Sequence, residues 1–185
     1  EPVDALLGYT LHTPLFSDYA QKQRLIWVPP GKQATLAADG HIDFPVGSMI
    51  VKSFGWPEQN GGRPVETRLL LHRAEGWTAL PYIWDADGKD ATLAIAGRRV
   101  PVTFRAPGGA MHSIQYAVPN KNQCKECHSK AGAIAPIGPK AANIDFGNAL
   151  ERADFARFFV RPPTASNPMP RWDDPTSGSL EQRAR

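Results

Sequence analysis

HSIQYAVPNKNQCKECH, residues 112–128, is the stretch that decides the fold. Its first half alternates like a β-strand and ends at Pro119. Its second half holds the only two cysteines of the chain, Cys124 and Cys127, and His128 follows them directly. We therefore expect the chemistry of this chain to lie on a loop or short helix that follows a sheet.

The spacing C-x-x-C-H predicts one covalent haem c. In such a site both thiols add across vinyl groups of the porphyrin, and the adjacent histidine becomes an axial ligand of the iron. A thioredoxin-like redox pair would need a βαβ context, and a zinc site would need two further ligands. The candidate zinc ligands, His12, His41, His72 and His112, are all distant in sequence. We therefore favour haem c, with His128 as the proximal ligand.

The rest of the chain predicts a mainly β fold, an antiparallel sheet or sandwich, with the haem c near the C-terminal third. The 18 prolines and 16 glycines cut the sequence into short segments. Turn residues such as Asp39-Gly40, Glu75-Gly76 and Asp87-Gly88 separate these segments. The predicted strands are 24–28, 34–37, 48–54, 65–73, 77–84, 91–96, 99–104 and 111–118.

One or two short helices are expected. The segment 17–22 could be capped by Ser17 or Asp18, and the segment 148–159 places apolar residues on one face before Pro162 stops it. We divide the chain into a β-rich domain at 1–119, a haem-attachment segment with a packed helix at 120–163, and a Pro-rich tail at 164–185. The tail could be a linker to a further region.

The strand before the cysteines argues against a class I cytochrome c, which carries an amphipathic helix there. One class I feature is present, since Gly138-Pro139 follows His128 where those cytochromes place a carbonyl that accepts the ring N–H of the ligand histidine. The alternative is that the Pro/Gly-rich loop 133–139 forms a wall for the haem without such a bond. Pro139 is therefore a predicted cofactor-binding residue.

The sixth ligand of the iron is less constrained. Met169 lies between two prolines well after the motif, as methionine ligands do, and a thioether would raise the reduction potential. The alternative is a methionine that only packs in its loop. The further candidates are Met49, Met111 and the four histidines outside the motif.

Lys52 is an anomaly within an apolar strand. It shares a face with Ile50 and Phe54, so burial of that face would place an ammonium group among apolar side chains. The alternative is an edge strand from which Lys52 extends to water.

A resemblance adds weight to Lys52. The order of a β-rich domain, FPVGSMIVKSF at 44–54, YAVP at 116–119 and then CKECH is similar to the cytochromes c-prime-beta and their hydroxylamine-oxidising relatives. Those relatives carry a haem c cross-linked to a lysine, and the resemblance implies that Lys52 is near or bonded to the porphyrin.

The chain also resembles, over nearly its whole length, a widespread group of exported bacterial haem c proteins. LFSDYA at 15–20, ETRLLL at 66–71 and PIGPKAAN at 136–143 carry this likeness, together with 43–52, Gly76-Trp77 and 82–84. Members commonly continue past a segment like SLEQRAR into a second haem-binding region. The resemblance therefore leaves open whether such a region follows Arg185.

Composition bounds the partners and the compartment. A net charge of +3 with scattered lysines and arginines gives no concentrated basic face, so nucleic acid is not an expected partner. No apolar run is long enough to span a membrane. Haem c is attached outside the bacterial cytoplasm, so we expect an exported, periplasmic protein whose signal peptide is absent from this chain. Lys121, Lys125 and Lys130 either form a positive collar for an acidic redox partner or are ordinary surface residues.

Two functions follow from these expectations. The first is electron transfer through a six-coordinate haem c to a redox partner protein. The second is a five-coordinate haem c oxidoreductase for a small diatomic or nitrogenous molecule such as NO, peroxide or hydroxylamine. Phe44, Phe54 and Trp56 would wall that open site, with Lys52 as a catalytic candidate and Glu66, His72 or Asp85 as the acid or base. Asp85, Asp87 and Asp90 superficially resemble a calcium loop, but a hairpin turn explains them better.

Overall fold

The computed structural model describes residues 6–130, 132–145, 157–161, 168–171 and 173–179. Within these residues the fold is mainly β, with antiparallel sheets and one short α-helix. The strands are β1 (Leu6–Gly8), β2 (Thr10–Leu11), β3 (Gln21–Trp27), β4 (Thr35–Leu36), β5 (Ile42–Asp43), β6 (Met49–Gly55), β7 (Pro64–Arg73), β8 (Gly76–Trp84), β9 (Ala91–Leu93), β10 (Arg98–Arg105), β11 (Met111–Val118), β12 (Ser129–Lys130), β13 (Ala133–Ile134) and β14 (Ile144–Asp145). The helix is α1 (Lys121–Cys127), and a 3-10 turn spans Asn60–Gly62.

Six strands form the main sheet in the order β1-β3-β6-β7-β8-β9. The register between β6 and β7 pairs Ile50 with Leu70 and Lys52 with Arg68, so these four side chains share one face. A core of buried apolar residues lies on this face, including Ile26, Ile50 and Leu70, and it also includes Cys124. The sheet thus brings the cysteine motif against residues that are more than fifty positions earlier in the chain.

The strands β10 and β11 form a separate antiparallel ribbon. Val102, Phe104 and Tyr116 of this ribbon form a second core with Trp56 and Val65. The ribbon ends at Val118, directly before the helix, so its packing fixes where the cysteine motif begins.

All eight predicted strands are present, with ends shifted by up to three residues. The loop from Asp85 to Asp90 is the predicted hairpin turn, because Trp84 pairs with Ala91 and the Asp85 carboxylate accepts the backbone N–H groups of Lys89 and Asp90. Only the very short strands β1, β2, β5, β12, β13 and β14 were not predicted, since two or three residues carry no periodicity.

The predicted helix at 17–22 is wrong. Asp18 and Tyr19 have φ values of 45° and 60°, which a right-handed helix does not allow. The strand β3 already begins at Gln21. The indole N–H of Trp56 donates to the Asp18 carbonyl at 2.7 Å and secures this turn. Of the predicted helix at 148–159, the part 148–156 lies outside the described residues; Phe159 forms a parallel bridge with Ala34.

No helix of the described residues is long and apolar enough to cross a membrane. The predicted division at 119/120 coincides with the end of the β10–β11 ribbon, although the residues after it pair back, with β14 beside β2. The tail at 164–185 is described only at 168–171 and 173–179.

Candidate functional site

The cysteine motif lies on α1, which begins with a capping box. The Asn120 side chain accepts the backbone N–H groups of Asn122 and Gln123, and the Gln123 side chain accepts the N–H of Asn120. This exchange satisfies donors that the first helical turn leaves without partners. The helix ends at His128, whose backbone N–H donates to the Cys124 carbonyl at 3.0 Å.

A tight hairpin after the helix orients the His128 ring. Strands β12 and β13 pair Ser129 with Ile134, and the Ala135 N–H donates to the His128 carbonyl at 2.9 Å. The Ala135 carbonyl then lies 3.3 Å from His128 Nδ1. Because a carbonyl only accepts, Nδ1 carries the proton, and the lone pair of Nε2 is free to bind a metal.

His128 is held in its neutral form. Burial, the positive charge of Lys52 and, to a smaller extent, that of Arg68 lower its pKa to about 4, against the opposing hydrogen bond to Ala135. A neutral imidazole at pH 7 is the form that binds iron. The ring therefore has both the tautomer and the charge state that an axial ligand needs.

Cys124 is buried in the core on the inner face of the main sheet, against which Ile134 also packs. Burial raises the pKa of its thiol, while the charges of Arg68 and Lys52 oppose this effect. The charges of the same two cations thus act on both the thiol of Cys124 and the imidazole of His128. We group Cys124, His128, Lys52 and Arg68 as one cluster, whose thiol and neutral imidazole are the groups that a covalent haem c would use.

Lys52 belongs to this cluster. Its strand, β6, lies between β3 and β7, so the alternative of an edge strand is wrong. Burial lowers the pKa of Lys52 to about 8, with Arg68 and Arg24 as the next causes. The ammonium lies 5.1 Å from the centre of the Phe54 ring, which offers a cation–π contact. The proximity of Lys52 to a porphyrin, which the resemblance implies, remains a prediction.

Lys52 is the middle member of a row of three cations. The registers pair it with Arg24 on β3 and with Arg68 on β7, so the three side chains lie side by side on the inner face. Directly opposite residues have Cβ atoms only about 4.5–5.5 Å apart, and like charges there destabilise a sheet. We call Arg24, Lys52 and Arg68 the cation row.

Glu66 is the one carboxylate of the described residues that forms an ion pair with the cation row. It is fully buried, and Arg68 binds both of its oxygens, at 2.5 and 2.9 Å. The Tyr116 hydroxyl donates to Glu66 at 2.6 Å. Burial and the Glu66 charge raise the pKa of Tyr116, which keeps the phenol protonated. This triad connects the main sheet to the β10–β11 ribbon beside Lys52.

The carbonyl that accepts from the His128 ring does not belong to Gly138-Pro139, as the sequence predicted, but to another residue. The carbonyl beside His128 Nδ1 is that of Ala135, four residues before Pro139. The Gly138 carbonyl instead accepts from Asn143 Nδ2 at 3.3 Å and from the Lys140 N–H at 2.9 Å. The β12–β13 hairpin is tight, and it therefore places the carbonyl of Ala135, three residues before Gly138, next to the His128 ring.

Met169 lies in the segment 168–171, next to the loop that follows the cysteine motif. Its backbone N–H donates to the Ala142 carbonyl at 2.6 Å, and its side chain is 36% exposed. The neighbouring Pro170 carbonyl accepts from Thr13 Oγ1 at 2.6 Å. These bonds fix the backbone around Met169, and its ligation remains a prediction.

The four other histidines occupy separate surroundings. His72 Nδ1 lies 2.8 Å from the Phe44 carbonyl, and its ring stacks on Trp77. His41 pairs with Asp39, and the ring of His112 stacks on Phe104. His12 Nδ1 is buried without a hydrogen-bond partner among the described residues. Met49 points to the outer face of the sheet, opposite Lys52, and Met111 is 48% exposed.

The structure separates the proposed aromatic walls and the acid–base candidates. Phe54 contacts both Lys52 and Arg68, and Phe44 belongs to the core that holds Cys124. Trp56 lies in the second core, below the ribbon. Glu66 adjoins the cluster, whereas Asp85 is exposed in its turn.

The three lysines of the predicted collar differ. Lys130 binds Asp39 Oδ2 at 2.5 Å, whereas Lys121 and Lys125 are exposed on the helix. Lys130 therefore anchors the β12–β13 hairpin, and the collar is reduced to two lysines.

Sequence reasoning missed Arg24, Arg68, Tyr116 and Ala135. The capping pair Asn120 and Gln123 could have predicted α1. Nothing local could have placed Arg24 and Arg68 beside Lys52, because register across three strands is a tertiary property.

No family model matches this chain, and neither a curated protein nor a solved structure matches it.

Proposed function

We propose that this chain is a c-type cytochrome that holds one haem c on the inner face of its main sheet. Cys124 and Cys127 form the thioethers, and His128 is the proximal ligand. Each thiol adds its sulfur and its hydrogen across one vinyl group, so attachment needs no net oxidation. Because haem c is attached outside the bacterial cytoplasm, we infer a periplasmic protein.

One observation carries this proposal: the bond between His128 Nδ1 and the Ala135 carbonyl. It leaves Nε2 unprotonated, and such a second bond both orients a ligand histidine and raises its basicity. When bound, the haem supplies one-electron redox chemistry and an axial position for a sixth ligand. The protein residues orient the ring, exclude water and set the local charge.

Electron transfer is the first use we propose for this haem. Met169 is the proposed sixth ligand, and the exposed Lys121 and Lys125 are the proposed contacts for an acidic redox partner protein. A thioether ligand raises the potential and suits a carrier.

The test begins with the covalent bond. Exported protein made with the haem c maturation machinery should gain the mass of one haem and keep it through a denaturing gel. C124A/C127A should lose it, whereas H128A should keep the haem and change its spectrum. A wild-type chain that releases haem under denaturing conditions contradicts the proposal.

The sixth ligand is tested by spectroscopy. The oxidised protein should show a methionine–iron charge-transfer band that disappears in M169A and persists in M111A, the matched control. A band unaffected by M169A rejects Met169 as the ligand.

The placement of Lys52 favours a second candidate function, an oxidoreductase for a small nitrogenous or diatomic molecule. Lys52 has a pKa of about 8, and its charge lowers the pKa of His128. The buried Glu66 and Tyr116 beside Arg68 form a proton-holding pair. A bond from Lys52 to the porphyrin edge would replace one N–H and one C–H. The two electrons and two protons released would reduce a peroxide to water or an alcohol.

Carbon monoxide distinguishes the two functions. An oxidoreductase with an open axial position binds CO in its native reduced form, whereas a six-coordinate carrier does not. A red-shifted Soret band that is abolished by K52R and retained in K22R, which changes a lysine on the same face, would support a cross-link. Identical spectra for K52R and the wild type would exclude it.

A further inference from the structure

We infer that Arg24, supported by Lys52, is a carboxylate-binding site that holds a propionate group of the haem. This inference rests on the proposed function, because it assumes that haem c is attached at the cysteine motif. It assigns a role to a buried arginine that the motif itself does not explain.

Arg24 is a buried cation without a carboxylate partner among the described residues. Arg24 is only 8% exposed. Its Nη1 donates to the Lys22 carbonyl at 3.3 Å. That single bond uses one of five donors, and a buried guanidinium is costly unless it is paired.

The inner face carries an excess of positive charge. Arg24, Lys52 and Arg68, with Lys22 on the same face, supply four positive charges against the one negative charge of Glu66. Arg68 is already paired with both oxygens of Glu66. The propionates of a haem would supply negative charge to this face, and Arg24 has the donors to bind one of them.

Arg24 and Arg68 lie at the two ends of the row. Arg24 is on β3, two strand spacings or about 10 Å from Arg68 on β7. The arginine that has a carboxylate partner and the arginine that has none are therefore on opposite sides of Lys52.

A partly buried tyrosine, Tyr9, is bonded to Arg24 through the backbone, since its N–H donates to the Arg24 carbonyl at 3.1 Å. Burial raises the pKa of Tyr9 to about 12, and the Arg24 charge opposes this rise. Tyr9 packs against the core that contains Cys124. A protonated phenol can donate to the same carboxylate.

The experiment is an infrared pH titration of the holoprotein in which the haem carboxyl carbons carry ¹³C, introduced through labelled 5-aminolaevulinate. In the wild type the labelled carboxylate next to Arg24 should protonate only below about pH 4.3, the ordinary value for such a group. R24Q should raise this apparent pKa by about one unit or more, because an adjacent opposite charge lowers a carboxyl pKa by about 1–3 units. R24K should restore most of the wild-type value.

R99Q is the matched control, because Arg99 is an exposed arginine of the β10–β11 ribbon. Equal titration of R24Q and the wild type, or an equal shift in R99Q, would overturn the inference. If R24Q does not fold, the wild type alone decides: both labelled carboxyls titrating at or above about pH 4.3 would overturn it. A chain without covalent haem contradicts the proposed function, whereas covalent haem with unshifted carboxyls contradicts only this inference.

Discussion

His128 Nδ1 lies 3.3 Å from the carbonyl oxygen of Ala135, and the Ala135 N–H donates back to the His128 carbonyl at 2.9 Å. These two bonds close the β12–β13 hairpin on the imidazole. The ring orientation therefore depends on the backbone of a residue seven positions later.

Replacing Ala135 by proline should disturb this orientation. A135P removes the N–H that bonds to His128, which costs about 1 kcal/mol or more of unfolding free energy and weakens the bond to Nδ1. A less basic imidazole donates less to the iron, so the midpoint potential of the holoprotein should rise. A135G keeps both backbone groups and serves as the control. Equal midpoint potentials in A135P and A135G would show that the hairpin does not determine the orientation of the His128 ring.

The Glu66–Arg68–Tyr116 triad should contribute strongly to stability. Y116F removes one hydroxyl and leaves Glu66 bound to Arg68, so a loss of about 1–2 kcal/mol is expected in urea unfolding. E66Q breaks the buried ion pair and should cost more, about 3 kcal/mol. S113A, which removes an exposed hydroxyl pair with Thr103, should change stability by less than about 0.5 kcal/mol. A smaller loss of unfolding free energy in E66Q than in Y116F would contradict our expectation that the buried ion pair contributes more than the hydroxyl.

Lys52 should make stability depend on pH in the alkaline range. Its folded pKa of about 8 is below the ordinary value of 10.5, so between these values the unfolded chain binds more protons. Stability should therefore rise with pH across this window. In the C124A/C127A background, which prevents covalent attachment, K52M should be more stable than its parent at pH 7, and the difference should narrow above about pH 8. K89M, at an exposed lysine, should show no such narrowing. A constant difference for K52M would mean that Lys52 does not lose its proton early.

Gly97 should be required for the correct position of the start of α1. Its φ is 72°, and a Cβ there would lie 2.7 Å from the Val118 carbonyl oxygen and 2.8 Å from the Asn120 N. Both atoms flank the start of α1, and the Lys121 N–H donates to the Ile95 carbonyl at 3.0 Å beside them. G97A should thus cost about 2 kcal/mol or more and reduce covalent haem yield.

The control for Gly97 is G108A. Gly108 also has a positive φ, of 100°, but no atom lies within 4 Å of a Cβ placed there. That variant should cost only about 1 kcal/mol of conformational strain. Equal losses in the two variants would mean that the contact with the helix start is unimportant.

The sequence by itself determined the local elements. Alternation and turn residues fixed eight strands, because side-chain period and turn geometry are local properties. The spacing of Cys124, Cys127 and His128 predicted a cofactor and one ligand for the same reason, since the chemistry needs only five consecutive residues. The prediction of a helix at 17–22 failed because Asp18 and Tyr19 have consecutive positive φ values, in a turn whose Asp18 carbonyl accepts from Trp56, far along the chain.

Only the tertiary structure decided what surrounds that motif. The order of strands placed Lys52 in the interior of the sheet, and the register placed Arg24 and Arg68 beside it. The β12–β13 hairpin placed the Ala135 carbonyl, and not that of Gly138, beside His128 Nδ1. Each of these relationships joins residues through backbone pairing between separate segments, and a one-residue slip in register would move every side chain to the opposite face. The sequence motif thus specifies which atoms can react, while the sheet register specifies which charges lie next to them.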